Sequence, residues 1–183
     1  VMWQTNIENH YEDVWSTRGS ICEFFAGPIG QLPNGFVVLK FPPHNGRKMW
    51  TYATRCMSLP DDHNPLELHI FSPFESGEVV ELLFATAHFH RTSTKLRPGD
   101  SVNFGKPWIN PSECNYGLIS LPYLDGKNLE NLSIGARLVK FYWLIPITSS
   151  EVMFKKAYGL EALEIKLDQS GFDYVNPLRK SVV

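Results

Sequence analysis

The sequence predicts an α+β fold in a single domain, a mixed and mainly antiparallel sheet with helices packed over it. Three observations predict it. Four short β-branched and aromatic segments between Ile21 and Phe71 are punctuated by Gly, Pro and Asn, as in successive antiparallel strands. From Glu78 to Thr94 the apolar spacing changes to that of a helix. The chain then returns to short strands up to Ile147, before two further helical stretches.

Ile7 to Trp15 places Ile7, Tyr11, Val14 and Trp15 on one face of a helix, which ends at Arg18-Gly19. Ile21 to Phe25 reads as a strand, closed by turn signals at Gly27-Pro28, Gly30 and Pro33-Asn34-Gly35. Phe36 to Phe41 is the next strand, ended by Pro42-Pro43 and the polar turn His44-Asn45-Gly46. Met49 to Cys56 and Leu66 to Phe71 follow, the latter with Leu66, Leu68 and Ile70 on one face. Ser76 suits an N-cap for the Glu78–Thr94 helix, where Val79, Leu82, Leu83 and Thr86 recur at helical spacing. Strands are expected around Ser101–Phe104, Tyr116–Leu121 and Arg137–Ile147. Ser149 or Ser150 caps a helix through Tyr158, Gly159 breaks it, and Leu160 to Leu167 forms the last helix. Residues 1–183 are thus read as one domain with a core at about 20–165, and a polar tail, 168–183, that is expected to be loosely held.

Composition narrows function by exclusion. Hydrophobic residues make up 43% and charged residues 20%, a globular balance. The 17 basic and 19 acidic residues are mixed along the chain, so no basic stripe suggests nucleic acid binding. Cys22, Cys56 and Cys114 are odd in number and widely spaced, which disfavours a disulfide framework and a zinc knuckle. The chain opens without a signal-peptide pattern and no apolar run approaches the roughly 20 residues that span a bilayer. The expectation is a reduced, cytoplasmic protein with no membrane partner.

No catalytic, metal or cofactor motif stands out. His88 and His90 flank Phe89, but residues two apart point away from each other on a helix, so both are read as exposed helix histidines. His44, His63 and His69 are placed in or beside turns and edges, and Asp61-Asp62-His63 precedes Asn64-Pro65 as a turn. Cys56 ends a strand without a helix N-terminus to activate it, and reads as a buried structural thiol. Neither GxSxG nor a phosphate loop occurs. Asp100 and Asp125 adjoin Gly99 and Gly126 as turn formers, and Glu151 suits a helix N-terminus.

Seven collinear pieces resemble the suppressor-of-fused-like family, in the form of a bacterial single-domain member. They are the strand ending Phe41-Pro42-Pro43; the strand Trp50 to Ser58, similar to the family's Thr-x-Gly-Met-Ser; and Leu66-Glu67-Leu68, similar to its Glu-Leu strand. Leu96-Arg97-Pro98-Gly99-Asp100, Phe104-Gly105-Lys106-Pro107-Trp108, Leu118 to Gly126 and Trp143 to Glu151 complete the set. The last resembles the family's Leu-x-Pro-(Leu/Ile)-x-x-x-Glu ending, and the match runs over roughly residues 20 to 165. Cys56 stands where glycine is common, and Asp100 where relatives often carry histidine, so no role of that histidine transfers. The likeness extends to the amino-terminal domain of the longer animal proteins, and their two-domain grip on transcription factors is not carried over.

The resemblance implies a binding protein, not an enzyme, similar to the immunity proteins that neutralise a cognate secreted toxin inside the producing cell. Arg91, Arg97, Asp100, Trp108, Tyr116, Tyr123 and Asp125 are the candidate partner-binding residues, as loop-borne aromatic and charged side chains. Asp100 and Asp125 would mimic phosphates against a nuclease toxin. The alternatives are a general interaction or scaffold protein, dimeric through an uncovered sheet edge, and a small hydrolase-like enzyme in which His69, Cys56 and a carboxylate converge in a pocket.

Overall fold

A computed structural model describes residues 2–24, 27 and 29–183. Eight strands form one sheet: β1 (Ser20–Cys22), β2 (Val37–Phe41), β3 (Trp50–Arg55), β4 (Leu66–Ser72), β5 (Ser101–Asn103), β6 (Tyr116–Ser120), β7 (Asn131–Ile134) and β8 (Arg137–Ile147). Their order is β1-β2-β3-β4-β8-β6-β5, with β7 also pairing β8. The β4–β8 pair is parallel, Leu66 opposite Lys140, and the others are antiparallel. Five helices complete the α+β domain: α1 (Met2–Trp15), α2 (Gly77–Thr92), α3 (Lys127–Glu130), α4 (Ser149–Tyr158) and α5 (Leu160–Ser170).

Strand alternation divides the core into layers. Leu66, Leu68 and Ile70 of β4 face one side with Val38, Tyr52 and Leu144, and there meet Val79, Leu83 and Ala87 of α2. The opposite side is shared. Ile7, Tyr11 and Trp15 of α1 cover Leu39, Phe41, Ala53 and Phe141. Val152 of α4 and Leu163 and Leu167 of α5 cover Leu118, Trp143, Ile145 and Ile147. The sheet therefore lies between α2 and a second layer made of α1 and the α4–α5 pair.

Several boundaries move. Helix α1 begins at Met2, five residues before the expected Ile7. Strand β1 stops at Cys22; Phe25 and Pro28, part of the expected strand and turn, lie outside the described residues. The α4 cap is Thr148, which accepts from Glu151 N–H while Glu151 Oε2 accepts from Thr148 N–H, so Ser149 and Ser150 are already helical. Helix α3 and the short strand β7 were not expected.

The tail is not loose. Arg179 is 7% exposed, and its guanidinium donates to both oxygens of the fully buried Glu151, at 2.7 and 2.9 Å, and to Pro146 O. Val182 N–H donates to Glu151 Oε1, and Phe172 and Tyr174 pack on Trp143. A capping glutamate inside the core needs a counter-charge, and the tail supplies it.

His69 lies in the interior of β4, 1% exposed, and is no edge residue. It sits under Trp15 and beside Phe71, and neither ring nitrogen has a partner among the described residues. His90 is likewise buried, and its Nδ1 accepts from Leu96 N–H at 2.9 Å. Burial lowers His69 to about 4 and His90 to about 4.

Two outcomes follow from these buried groups. Arg179→Ala leaves Glu151 as an unpaired interior charge and lowers unfolding free energy by about 3–5 kcal/mol, measured by urea titration. A histidine neutral when folded gains its proton on unfolding, so its stabilisation is complete above its ordinary value and is lost as pH falls toward 4. His69→Phe removes that loss. Its stability relative to wild type therefore rises by about 2 kcal/mol between pH 7 and pH 5, read from urea midpoints at each pH.

Candidate functional site

The turn between α2 and β5 is closed by both backbone and side-chain hydrogen bonds. Pro98 sets the first bend, Gly99 takes φ 90°, and Asp100 N–H donates to Arg97 O at 3.1 Å, the geometry of a type II turn. Asp100 Oδ2 accepts from Arg97 N–H, Gly99 N–H donates to Ile119 O, and Ile119 N–H donates to Asp100 O. Leu96 is buried as a plug on the α2 side. The consequence is a fixed platform that holds Arg97 outward.

Clefts of about 620 and 570 Å³ flank this platform and share Leu96, Arg97 and Asp100. The first adds His63, Arg137 and Lys140, with Tyr142 on its floor, and the second adds Phe89, Lys95, Lys155 and Lys156. Arg137 is presented by the tight β7–β8 hairpin, in which Gly135 has φ 59°. Lys140 is engaged with Asn131, and Lys155 with Gly99 O. Lys95, Arg97, Arg137 and Lys156 have no ion-pair partner among the described residues. Among the described residues Asp100 is the sole carboxylate lining either cleft, and its Oδ2 accepts from the Arg97 N–H of the turn. A chain of net charge −2 thus gathers cations on one surface. Such a surface attracts carboxylates or other anions.

The seven expected binding residues separate. Arg97 and Asp100 meet at this surface. Arg91 is half-buried and pairs with Asp62 at 2.6 Å, which fixes the turn after β3. Trp108 is 1% exposed and belongs to the core under α2, so it is not a surface anchor. Tyr116 is half-buried in β6, packed against the α4–α5 core. Asp125 pairs with Arg47 at 2.6 Å, its side chain only 7% exposed, and is an internal tie, not a phosphate mimic. Tyr123 is exposed in the turn after β6, where its hydroxyl donates to Glu164 of α5. Lys95, Arg137 and Lys156 were missed because no local pattern brings them together.

Other chemistry finds no support in the geometry. Burial, with Glu67 beside it, pushes the Cys56 thiol up to about 12, far from a nucleophile's range. His69 is enclosed by rings and the Arg47–Asp125 pair. Among the described residues no three His, Cys, Asp or Glu side chains could hold a metal ion, and no helix is long and apolar enough to cross a membrane.

A family model described as suppressor of fused protein matches residues 33–180. A suppressor of fused homologue from Neisseria gonorrhoeae has a similar structure, with TM-score 0.84 and 30% identity over 99% of this chain and 97% of that one. The structure of a Sufu–Fu complex matches with TM-score 0.74 and 15% identity over 98% and 92% of the two chains. Drosophila Suppressor of Fused matches with TM-score 0.72 and 15% identity over 98% of this chain and 51% of its own. No curated protein matches. The last two structural likenesses speak for the fold alone.

The platform predicts two different responses. Asp100→Ala removes the side-chain bond that closes the turn and costs about 1 kcal/mol. Arg97→Glu breaks no contact and changes stability by no more than about 0.5 kcal/mol, both measured by thermal or urea unfolding.

Proposed function

The chain belongs to the suppressor of fused family, and on that premise we propose that it is a non-enzymatic protein-binding domain whose partner presents an acidic segment to the clefts around Arg97. The observation that carries this reading is the set of four cations without an ion-pair partner among the described residues, gathered from the Arg97 turn, the β7–β8 hairpin and α4. Surface cations of this kind steer encounter and fix register, while the apolar floor of Leu96 and Tyr142 gives burial. The family supports a protein partner, since one structural relative is known in complex with Fu.

Within that reading the domain is an immunity protein, and its partner is a cognate toxin blocked in the producing cell, where a cytoplasmic site suits the reduced thiols. The basic clefts favour a toxin with an acidic surface over a nuclease with a basic one. A homodimer through the sheet edge is less favoured, because the strands with an open edge, β1, β5 and β7, are only three or four residues long.

Affinity purification from the native cell, followed by mass spectrometry, identifies the partner. One stoichiometric partner with a toxic C-terminal domain is expected, and co-expression should restore growth to cells making that domain. Lys95→Glu, Arg97→Glu and Arg137→Glu together should weaken the complex by at least about tenfold, read by calorimetry. A captured partner bound equally well by the triple variant would overturn the cleft as the site. Recovery of the chain alone would overturn the immunity reading.

A further inference from the structure

The sheet face opposite α2 carries a groove of about 420 Å³ between β6, β8 and α5. Its floor is apolar apart from one group. Leu118 and Ile145 are paired across β6 and β8, as are Ser120 and Trp143. Ser120 is 3% exposed, and its Oγ has no hydrogen-bond partner among the described residues. The rim is acidic: Glu161, Glu164 and Asp168 stand three and four residues apart and therefore share one face of α5. No Lys, Arg or His lines the groove, and none of these carboxylates has an ion pair among the described residues.

The two features call for the same missing chemistry. Burial holds the Glu164 carboxyl above its usual value, and Glu161 pushes it further in that direction, against the hydrogen bond from Tyr123. A cation in the groove would remove that repulsion. The buried hydroxyl of Ser120 can accept from an N–H, which an ammonium or guanidinium supplies and a hydrocarbon does not. The indole of Trp143 lines the groove and offers a π-surface suited to a cation with an apolar body, while the ring of Phe172 already lies under the Arg179 guanidinium at 5.5 Å.

We propose that this groove binds an organic cation, its apolar body on Trp143 and Ile145 and its ammonium or guanidinium group between Ser120 Oγ and the carboxylates of Glu164 and Asp168. The groove shares no lining residue with the basic clefts and is independent of the partner proposed for them. The same chemistry has two sources, a free amine or the Lys or Arg side chain of a bound peptide.

Calorimetry and NMR titration of the full chain separate them. The probes are phenethylamine, with neutral 2-phenylethanol as its counterpart, and acetyl-Leu-Arg-Leu-amide, with its Gln analogue. At least one cationic probe should bind at least tenfold more tightly than its neutral counterpart and shift the Trp143 indole N–H resonance. Glu164→Gln and Asp168→Asn should each weaken that binding at least threefold at an unchanged unfolding midpoint. Ser120→Ala, which removes a single atom, should weaken it as well. Binding of phenethylamine identifies a small-molecule site; binding of the peptide alone identifies a side-chain site. Equal affinity for charged and neutral probes, no binding of either cation, or cation binding unchanged in the Glu164→Gln/Asp168→Asn double variant would overturn the proposal.

Discussion

Glu67 has no exposed surface, yet four donors converge on its carboxylate: Thr54 Oγ1 and Ser58 Oγ at 2.6 Å, and the Met57 and Ser58 N–H groups at 3.1 Å. These bonds join β3, the turn after it and β4 beneath α1, so the register of the central strands and the seat of the first helix meet at one side chain. Tyr11 of α1 adds a bond to Thr54 O. Burial nevertheless outweighs the donors and raises Glu67 to about 7. Thr54 Oγ1, which accepts from Leu68 N–H, lies close enough to both Glu67 and Leu68 O to accept a hydrogen bond from the neutral acid while donating its own proton to Leu68 O. The network therefore stays satisfied in either protonation state, and the turn it holds stays closed.

This constraint involves the stretch that resembles the family's Thr-x-Gly-Met-Ser and Glu-Leu strands. Thr54, Met57, Ser58 and Glu67 are the members of the network. Cys56 sits between them at φ 64°, a left-handed conformation that glycine adopts without strain, which is why glycine suits this position. Glu151 does the same work at the other end of the chain, where it caps α4 and receives Arg179. The domain is thus clamped by two interior carboxylates, one satisfied by neutral donors and one by a cation. Outside them, cations surround Arg97, and carboxylates line the groove side of α5.

What the sequence revealed was local. The strands β2, β3, β4, β6 and β8 and the helix α2 carry strong periodicity, and each was legible within a few residues. Helix α3 and strand β7 were not, because four residues give no measurable period and their order depends on pairing with β8. The tail looked polar and loose because its anchor, Arg179, has its partner 28 residues upstream. His69 looked like an edge residue because nothing in its neighbours says that β8 covers the far side of β4. At the site, Arg97 and Asp100 were legible from the Pro-Gly turn, whereas Trp108 and Asp125 satisfied the same surface criteria and proved to be core and internal tie. Arg137 and Lys156 reach Arg97 only through the tertiary fold.

The parallel pairing of β4 with β8 also sets a timetable for assembly. Leu66 meets Lys140, so β4 must wait for about 70 further residues before its second edge is covered. At a synthesis rate of about 5–20 residues per second, the nascent chain carries β1 to β4 for several seconds as a half-sheet with an open, strongly apolar border. Such a border is a template for adventitious strand pairing. The late arrival of β8 therefore makes the interval between the two halves the period when the edge of β4 is most open to mispairing.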